Sequence, residues 1–247
     1  MFSWLAAASL MVSGCLAPDS VVDRAAVIGR AQEAQSEAVR YCEYFLPQES
    51  GKVRVVYYTP EGREGQKIAE KWISGDVAST GVLQTSVPEV LQEDFRHGEL
   101  RQVSQSDAGW QLRYRRDHRS KFDDASFRLD ELEVIDAGFD PYVRKHWNQL
   151  VAGETVQFRF ASPVHGRAIK LRARAVSCAT AGADLCLQVE LAQAFLRWIA
   201  GGGIYLEYSH SPEAKPGVPR LTRFNGVSNL LDDAGEPQQV QIDYFYR

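Results

Sequence analysis

Alternating apolar and polar residues recur along the chain and predict β-strands over most of its length. In "GWQLRYRRD" (109–117), Trp110, Leu112 and Tyr114 point to one side and the residues between them to the other, which is the period of a strand. Most such segments pair an apolar with a charged face, as in an antiparallel sheet that is covered on one side. The predicted strands are 53–59, 109–117, 154–162, 168–179, 185–191, 203–209 and 240–247.

The segment 140–153 follows a helical period instead. Asp140 is a suitable N-cap, Pro141 suits the first helical position, and Gly153 is a natural stop. The apolar residues of the segment, among them Trp147, share one face, so the helix needs a surface to bury against. We expect the helix to lie on the apolar, concave side of the sheet.

A second helix is predicted over 192–203, where Phe195 and Trp198 precede three glycines. Residues 24–46 are ambiguous, since their alanine and glutamate content suits a helix. The aromatic stretch "VRYCEYF" within them is typical of a strand. It favours a hairpin that turns near 35–37.

These patterns together predict a mainly β protein with one curved antiparallel sheet, half-barrel or barrel-like, and one or two short covering helices. The chain is 45% apolar and 11% aromatic, which is enough for a large core. No linker interrupts residues 27–247, so we predict a single β-rich domain there. The net charge of −4 gives no indication of a nucleic-acid partner.

The N-terminus begins with an uncharged run, "WLAAASLMV" (4–12), that ends at Ser13, Gly14 and Cys15. The run suits the apolar core of a signal peptide and is too short to span a bilayer. With the two small residues before Cys15, the segment resembles the bacterial lipoprotein box (lipobox). The resemblance implies a signal peptide over 1–14, cleavage before Cys15, and a diacylglyceryl lipid on its thiol.

Lipidation at Cys15 would anchor the chain to a membrane, because two acyl chains bury enough CH₂ groups for stable attachment. Residues 15–26 would then form a tether. Leu16 stands where the sorting rule of enterobacterial lipoproteins has Asp for inner-membrane retention, so the predicted location is the periplasmic side of the outer membrane. Residues 1–4 carry no Lys or Arg, which departs from the signal-peptide pattern. The alternative is a buried N-terminal helix with an incidental cysteine.

Two further cysteines are placed for a cross-strand disulfide, which suits an oxidising compartment. Cys178 and Cys186 lie symmetrically about Gly182, in a predicted hairpin that turns at 181–184. Opposed residues of antiparallel strands come within the distance that a disulfide requires. The alternative is a pair of free thiols in a reducing cell. Cys42 is left over and is predicted to be a buried, inert thiol.

The C-terminal half carries a further likeness. "RFNGVSNLLDDAGEPQQVQIDYFYR" (223–247), with "DAGFDPYVRKHWNQLVAGETVQFRF" (136–160), resembles an uncharacterised bacterial envelope protein family that has an aromatic-x-Gly-(Leu/Val)-Ser-Asn motif and a final alternating strand. The resemblance covers about residues 135–247, extends more loosely from residue 27 onward, and implies relatedness without an activity. Within it, we expect 226–229 to form a tight bend and 233–235 a hairpin turn.

The sequence contains no catalytic or cofactor motif. Residues 226–229 (GVSN) lack the second glycine of a nucleophile elbow, and the five histidines show no zinc-ligand spacing. The three glycines at 201–203 follow a helical pattern and do not open one, so no phosphate loop is predicted. We therefore expect no metal and no cofactor, and an enzyme is the least favoured class.

Basic side chains concentrate on two predicted strand faces. They could meet anionic headgroups, since each cation gains about 1 kcal/mol near an anionic membrane. The alternative is an ordinary solvated sheet face that neighbouring acids balance. The residues of this predicted basic face are Arg113, Arg115, Lys170, Arg172 and Arg174.

The favoured function is a non-enzymatic binding module of the cell envelope that holds a lipid or other hydrophobic ligand inside the curved sheet. The candidate pocket residues are Trp147, Phe195, Trp198 and Tyr205. The alternative is a structural or assembly lipoprotein that holds an envelope protein partner and has a fully packed interior. Cavity volume separates the two, because a carrier needs a deep apolar cavity.

Overall fold

The computed structural model describes residues 12–33, 36–49, 51–78, 82–193, 203–210 and 218–247. Within these ranges, fourteen antiparallel strands form one sheet, with three short α-helices beside it. The strands are β1 (Val27–Glu33), β2 (Val39–Pro47), β3 (Lys52–Thr59), β4 (Gln66–Ser74), β5 (Glu89–Asp94), β6 (Glu99–Ser106), β7 (Gly109–Arg115), β8 (Asp123–Phe127), β9 (Val156–Ser162), β10 (Arg167–Val176), β11 (Leu185–Leu191), β12 (Ile204–His210), β13 (Pro219–Leu231) and β14 (Pro237–Tyr246). The helices are α1 (Asp19–Val22), α2 (Phe139–Lys145) and α3 (Trp147–Val151).

The sheet consists of two meanders, the first formed by β1–β8 and the second by β9–β14, which meet at the pairing of β1 with β14. The strand order is β8-β7-β6-β5-β4-β3-β2-β1-β14-β13-β12-β11-β10-β9. Within each meander, strands that follow one another along the chain are therefore neighbours in the sheet. In the β1–β14 pair, Val27 lies opposite Tyr246 and Glu33 opposite Val240. The two ends of the domain are therefore joined by backbone hydrogen bonds in the middle of the sheet.

The sheet curls until the segment that follows β8 lies along β9. Val134 forms a parallel bridge with Phe160. Its N–H donates to the carbonyl of Arg159 (3.2 Å), and its carbonyl accepts from the N–H of Ala161 (2.9 Å). Trp110 of β7 lies in one apolar cluster with Ala161 of β9. The described sheet is thus strongly curved without direct pairing of its edge strands, which confirms the predicted mainly β, half-barrel-like fold.

The helices α2 and α3 cover the concave face, here called the inner face, of the second meander. Tyr142, Val143 and Leu150 form a buried cluster with Phe158 and with side chains of β10–β12. The predicted helix over 140–153 is therefore confirmed in its place on the sheet. Its form differs, because the backbone of the residue between Lys145 and Trp147 leaves the helical region and divides the segment into two helices.

The outer, convex face of β1–β3 is covered as well, by residues 12–26. Val21 and Val22 of α1 pack onto a buried cluster that includes Ile28, Tyr44 and Val56. The segment that was predicted to be a tether lies against the sheet in this structure. As a result, β2 and β3 are buried on both faces, whereas most other strands keep one exposed face.

Every predicted strand is present in the structure with bounds shifted by a few residues. The ambiguous stretch 24–46 forms the predicted hairpin, as β1 and β2. The strands β4, β5, β6, β8 and β13 were not among the predicted strands. The predicted second helix at 192–203 lies largely outside the described residues.

The prediction of a tight bend at 226–229 is wrong. These residues lie within the long strand β13, where the register with β14 shifts between Val227 and Leu231. The shift leaves extra residues on β13, so the motif forms a bulge in mid-strand. The turn at 233–235 is confirmed, with Gly235 at φ +80° between β13 and β14.

Candidate functional site

The predicted ligand pocket between helix and sheet is filled by side chains. The indole of Trp147 packs edge-on against Tyr208, with ring centroids 6.0 Å apart, and against His210 at 5.5 Å. Below it, Tyr142 stacks on Phe158 at 5.0 Å. These contacts join α2 and α3 directly to β9 and β12, so the interface holds a packed core where a carrier would need space.

Of the four predicted pocket residues, the structure describes Trp147 and Tyr205, and it does not bring these two together. Tyr205 lies on the outer face of β12, opposite in direction to Tyr208, and Phe195 and Trp198 lie outside the described residues. The hydroxyl of Tyr205 donates to Glu207 at 2.9 Å and accepts from the N–H of Ala179 at 2.8 Å. Grouping Tyr205 with the Trp147 face is therefore an error, since alternation along the strand separates them.

Beside Tyr205, the loop between β10 and β11 borders an open depression of about 210 Å³ on the outer face. Arg223 holds this loop by donating to the hydroxyl of Thr180 at 2.7 Å. The same guanidinium contacts Asp243 at 2.7 Å and Glu207 at 3.7 Å. Each group is satisfied by a neighbour within the protein, so we interpret the cluster as structural support for the loop.

The disulfide between Cys178 and Cys186 is confirmed, with Cα atoms 5.2 Å apart. The register differs from the prediction, because Val176 is the residue opposite Cys186 and Cys178 lies beyond the end of β10. The bond therefore closes the base of the β10–β11 loop. It holds this loop over the outer face together with the Thr180 contact.

Cys42 is not an unpaired thiol, which corrects the prediction. Its sulfur is bonded to that of Cys15, with Cα atoms 5.6 Å apart, and both sit in the cluster under residues 12–26. The sequence indicated burial of Cys42 but gave no sign of a partner 27 residues away. A sulfur in a disulfide has no valence left for a thioether, so this bond and a lipid on Cys15 exclude one another.

The predicted basic face is largely neutralised by neighbouring acids. Arg113 pairs with Asp124 at 3.4 Å and Arg115 with Glu93 at 3.9 Å. On β10, Arg172 and Arg174 both contact Glu190. Lys170 lies exposed on the same strand face as these two arginines. The arrangement corresponds to the alternative interpretation, a solvated sheet face, and it weakens the prediction of a headgroup-binding surface.

The inner face of the first meander contains a buried charged group that the sequence analysis did not single out. Lys71 of β4 donates to Asp136 at 2.7 Å, and its side chain is only 6% exposed. Glu43 of β2 lies nearby, 4% exposed, and its Oε1 has no hydrogen-bond partner in the described structure. Burial raises the pKa of Glu43 to about 7, against the opposing effect of the Lys71 ammonium.

The space for Glu43 is provided by a glycine on the neighbouring strand. Gly29 lies directly opposite Glu43, and a Cβ at that position would come within 2.6 Å of the Glu43 side chain. Asp136, the other end of the group, has φ +44°, a conformation that Asp tolerates better than most residues. The Lys71–Asp136 pair therefore ties the segment before α2 to the middle of β4.

A second buried polar group contains the Ser-Asn part of the motif. The hydroxyls of Ser228 and Tyr41 hydrogen-bond at 2.7 Å. Asn229 donates to Gln92 at 3.1 Å, and Gln92 donates to the carbonyl of Asn229 at 2.8 Å. These contacts cross the interior from β13 to β2 and β5. The likeness of the motif to an envelope family was the only sequence signal for them, and it was interpreted as a bend.

Two negative findings apply to the described ranges alone. No helix in them is long and apolar enough to cross a membrane. No three His, Cys, Asp or Glu side chains in them are grouped in a way that could hold a metal ion.

Comparison with known proteins gives little further information. No protein-family model matches the chain, and no curated protein matches it. A porin-like protein from Bacteroides uniformis ATCC 8492 aligns with 91% of this chain and 97% of its own at 8% identity and a TM-score of 0.29. An outer membrane lipoprotein-sorting protein domain from Vibrio parahaemolyticus aligns with 90% of this chain and 84% of its own at 8% identity and a TM-score of 0.30. Scores this low carry no argument about function, which must come from the chain itself.

Proposed function

We propose that this chain is an exported protein of the cell envelope that acts as a non-enzymatic binding module and holds its partner on the outside of its sheet. The observation that carries this proposal is the packed interface between α2, α3 and the inner face. Trp147, Tyr142 and Leu150 fill the space that an internal ligand would need. This favours the structural alternative over the carrier of a hydrophobic ligand.

The disulfides support export. Cys178 and Cys186 face each other across the base of a short loop, and such bonds persist in oxidising compartments and are rare in the reducing cytosol. The apolar N-terminal run supports the same location. The buried charged group supports a non-enzymatic role, because the side chains of Glu43 and Lys71 are buried and lie beyond the reach of a substrate.

Fractionation with peptide mapping tests the location. The full chain is expressed in a bacterium with an oxidising periplasm, and envelope and cytosol are mapped without reductant. We expect the chain in the envelope fraction, with Cys178 and Cys186 linked. Recovery of the chain in the cytosol, with Cys178 and Cys186 both alkylated, would contradict the proposal.

Native mass spectrometry tests the packed interior. The purified chain, detergent-free and with any N-terminal lipid accounted for, should have its sequence mass and no bound apolar ligand. Stoichiometric retention of a lipid in wild type that is lost in Trp147→Ala would restore the carrier function and overturn the structural one.

The mode of membrane attachment is a separate part of the proposal, and it rests on the Ser13-Gly14-Cys15 pattern. We expect a lipid on Cys15 in the processed protein, which requires Cys42 to be a thiol in those molecules. A clickable fatty-acid analogue should label the wild type and not Cys15→Ser, and Cys42 of the labelled chain should react with an alkylating agent after unfolding. No label on the wild type, with Cys42 protected until reduction, would show that the Cys15–Cys42 disulfide is the native state.

A further inference from the structure

The outer face of β3–β6 carries a depression of about 250 Å³ that none of the contacts above uses. Its floor is a cross-strand row in which Trp72, Leu91 and Gln102 lie opposite one another on successive strands. Arg54, beside the depression, continues this row on β3. The next row along the strands supplies Ser74 and Ser104. The sheet itself therefore sets the spacing of these side chains, which makes the surface rigid.

The centre of the depression is apolar and open to solvent. Leu91 is 41% exposed and lies opposite Trp72. The guanidinium of Arg54 sits 5.5 Å from the centre of the Trp72 ring, and Glu70 holds that guanidinium through two hydrogen bonds of 2.9 and 2.8 Å. An indole fixed in this way is a preformed platform for another ring, at little cost in side-chain entropy. Residues 12–26 cover the neighbouring strands β1–β3 and leave this platform uncovered.

The rim of the depression is polar and mostly neutral. Ser74, Gln102 and Ser104 line it, and within the described structure their side chains form no hydrogen bond, so their donors and acceptors are available. The two charged groups on the rim, Lys52 and Glu89, carry opposite signs. The amide and hydroxyl groups can each donate and accept.

This combination fits a carbohydrate better than the other ligand classes. A sugar ring has an apolar C–H face that packs on an aromatic ring and a rim of hydroxyls that both donate and accept hydrogen bonds. A lipid chain would need an enclosed apolar cavity, and a nucleic acid would need an excess of cations. The volume, below the usual range of about 300 to 1,000 Å³ for drug-sized ligands, suits one or two sugar rings.

We propose that this depression, with Trp72 as its platform and Gln102, Ser74 and Ser104 as its hydrogen-bonding rim, binds short glycan segments. The inference deepens the proposed function, on which it rests for the presence of envelope glycans. The same chemistry is offered by an amino-sugar glycan of the cell wall and by a neutral hexose polysaccharide of the cell surface. Both sources are therefore included in the test.

The test is a titration of the purified full chain with two probes, an N-acetylglucosamine trimer and a glucose trimer. Binding is followed by isothermal calorimetry and by ¹H–¹⁵N spectra that resolve the Trp72 indole and the Gln102 side-chain amide. We expect saturable binding of at least one trimer, with shifts at both groups. The trimer that binds more tightly identifies the source.

Three variants make the result specific. Trp72→Ala should weaken the affinity about tenfold or more, whereas Trp72→Phe keeps a ring and should retain most of it, which separates loss of the platform from loss of the fold. The matched control is Phe95→Ala. Phe95 is 42% exposed on the same outer face but lies outside the depression, against Lys67. The affinity of the Phe95→Ala variant for the trimers should therefore equal that of the wild type.

Several results would overturn the proposal. The absence of saturable binding by either trimer, or equal binding by wild type and Trp72→Ala, would do so. Binding to phosphatidylglycerol–phosphatidylcholine vesicles that Trp72→Ala abolishes would assign the surface to a membrane instead. Each of these results leaves the envelope location and the packed interior, which have their own tests, unaffected.

Discussion

The two meanders of the sheet are covered on different faces by different parts of the chain. In the second meander, α2 and α3 cover the inner face, and the outer face of β10 carries Lys170, Arg172 and Arg174 in solvent. In the first meander, residues 12–26 cover the outer face of β1–β3, while the inner face packs against β13 and β14. The first meander is therefore buried on both sides near β2, and the second on one side.

This difference explains why the two regions differed in how clearly their sequence predicted strands. Four consecutive residues of β2, from Tyr41 to Tyr44, are buried. Except for Glu43 they are aromatic or apolar, and they lie on both faces of the strand. Alternation is lost under those conditions. In β10, by contrast, every second residue meets water, and the alternation of 168–176 is regular. Cover on the second face, which the local sequence does not reveal, removes the periodic signal.

The largest expected effects come from breaking the packing under each cover with the same substitution. Leu150 of α3 is 1% exposed in the inner cluster, and Leu46 of β2 is 2% exposed in the outer one. Leu150→Ala and Leu46→Ala should each cost about 3 to 5 kcal/mol in the free energy of unfolding, because each leaves a cavity. Urea unfolding measures both. A cost below 1 kcal/mol for either would show that its cover does not seal the cluster.

Removal of either disulfide should give the next largest loss in the free energy of unfolding. The loss should be greater for the bond in the first meander than for the bond in the second. The Cys15–Cys42 bond spans 27 residues and the Cys178–Cys186 bond spans 8. Loop-closure entropy then predicts that the free energy of unfolding falls by about 3.5 kcal/mol for the first pair and about 2.5 kcal/mol for the second when both cysteines of a pair are changed to alanine. The protein for this comparison is produced without a lipid on Cys15. Unfolding of the two double variants measures the difference.

The energetic coupling between each leucine and the Cys15–Cys42 bond provides a control for that comparison. If the Cys15–Cys42 bond holds residues 12–26 on β2, the cost of Leu46→Ala should fall in the background that lacks this bond. The cost of Leu150→Ala should stay the same, since α3 lies on the other face. Equal costs of Leu46→Ala in both backgrounds would mean that packing alone holds the segment.

The architecture could be predicted from the sequence because alternation and the signals at helix ends are local. The strand of Trp110 and Leu112 and the glycine end of the helical segment follow from their own residues. The predicted N-cap is wrong, because α2 begins at Phe139 and Asp140 lies within its first turn. The strands β5 and β6 were missed because their polar residues face inward. Gln92 and Asp94 of β5 and Glu99 of β6 are buried, which reverses the expected direction of polar side chains.

The candidate sites were less predictable, since they depend on which strands the curl of the sheet brings together. Asn229 meets Gln92, which lies 137 residues away. Lys71 meets Asp136 only because the segment after β8 returns across the inner face. Tyr205 and Trp147 were grouped by residue type. Trp147 packs on the inner face against Tyr208, whereas Tyr205 points to the outer face of the same strand. Contacts of this kind are tertiary, and periodicity does not encode them.

A smaller and pH-dependent effect is expected from the buried carboxyl of the first meander. In the folded chain, the pKa of Glu43 is raised to about 7 from an ordinary value of 4.5. The folded state thus keeps a proton that the unfolded state releases, and stability falls as the pH rises from about 4.5 to about 7. Glu43→Gln removes this cost and should stabilise the chain by about 1 to 3 kcal/mol at pH 8. The gain should vanish at pH 4.

The matched control is Glu93→Gln, because Glu93 is on the exposed outer face of β5 with a side chain that is 43% exposed. Among the described residues, Glu93 pairs only with Arg115, at 3.9 Å, and an exposed ion pair of this kind contributes about 0 to 1 kcal/mol, so Glu93→Gln should change the free energy of unfolding by no more than that. Thermal unfolding at both pH values measures the two variants. A gain for Glu43→Gln that is equal at both pH values would contradict proton-linked burial.

The smallest effect is expected on the outer face of β7, where the predicted basic face is open to water. Arg113 pairs with Asp124 at 3.4 Å, with both side chains at least half exposed, and an ion pair of this kind contributes about 0 to 1 kcal/mol. Its guanidinium also lies 4.1 Å from the centre of the Phe122 ring, a contact worth about 0.5 to 1 kcal/mol at an exposed site. Arg113→Ala should therefore cost about 1 kcal/mol or less, and Phe122→Leu, which removes the ring and keeps the ion pair, should reproduce most of that loss. Urea unfolding at low and high salt separates the two contributions, since salt screens the ion pair more strongly. A cost above 2 kcal/mol would mean that the outer face of the first meander is packed at β7 as well, and that its cover extends beyond residues 12–26.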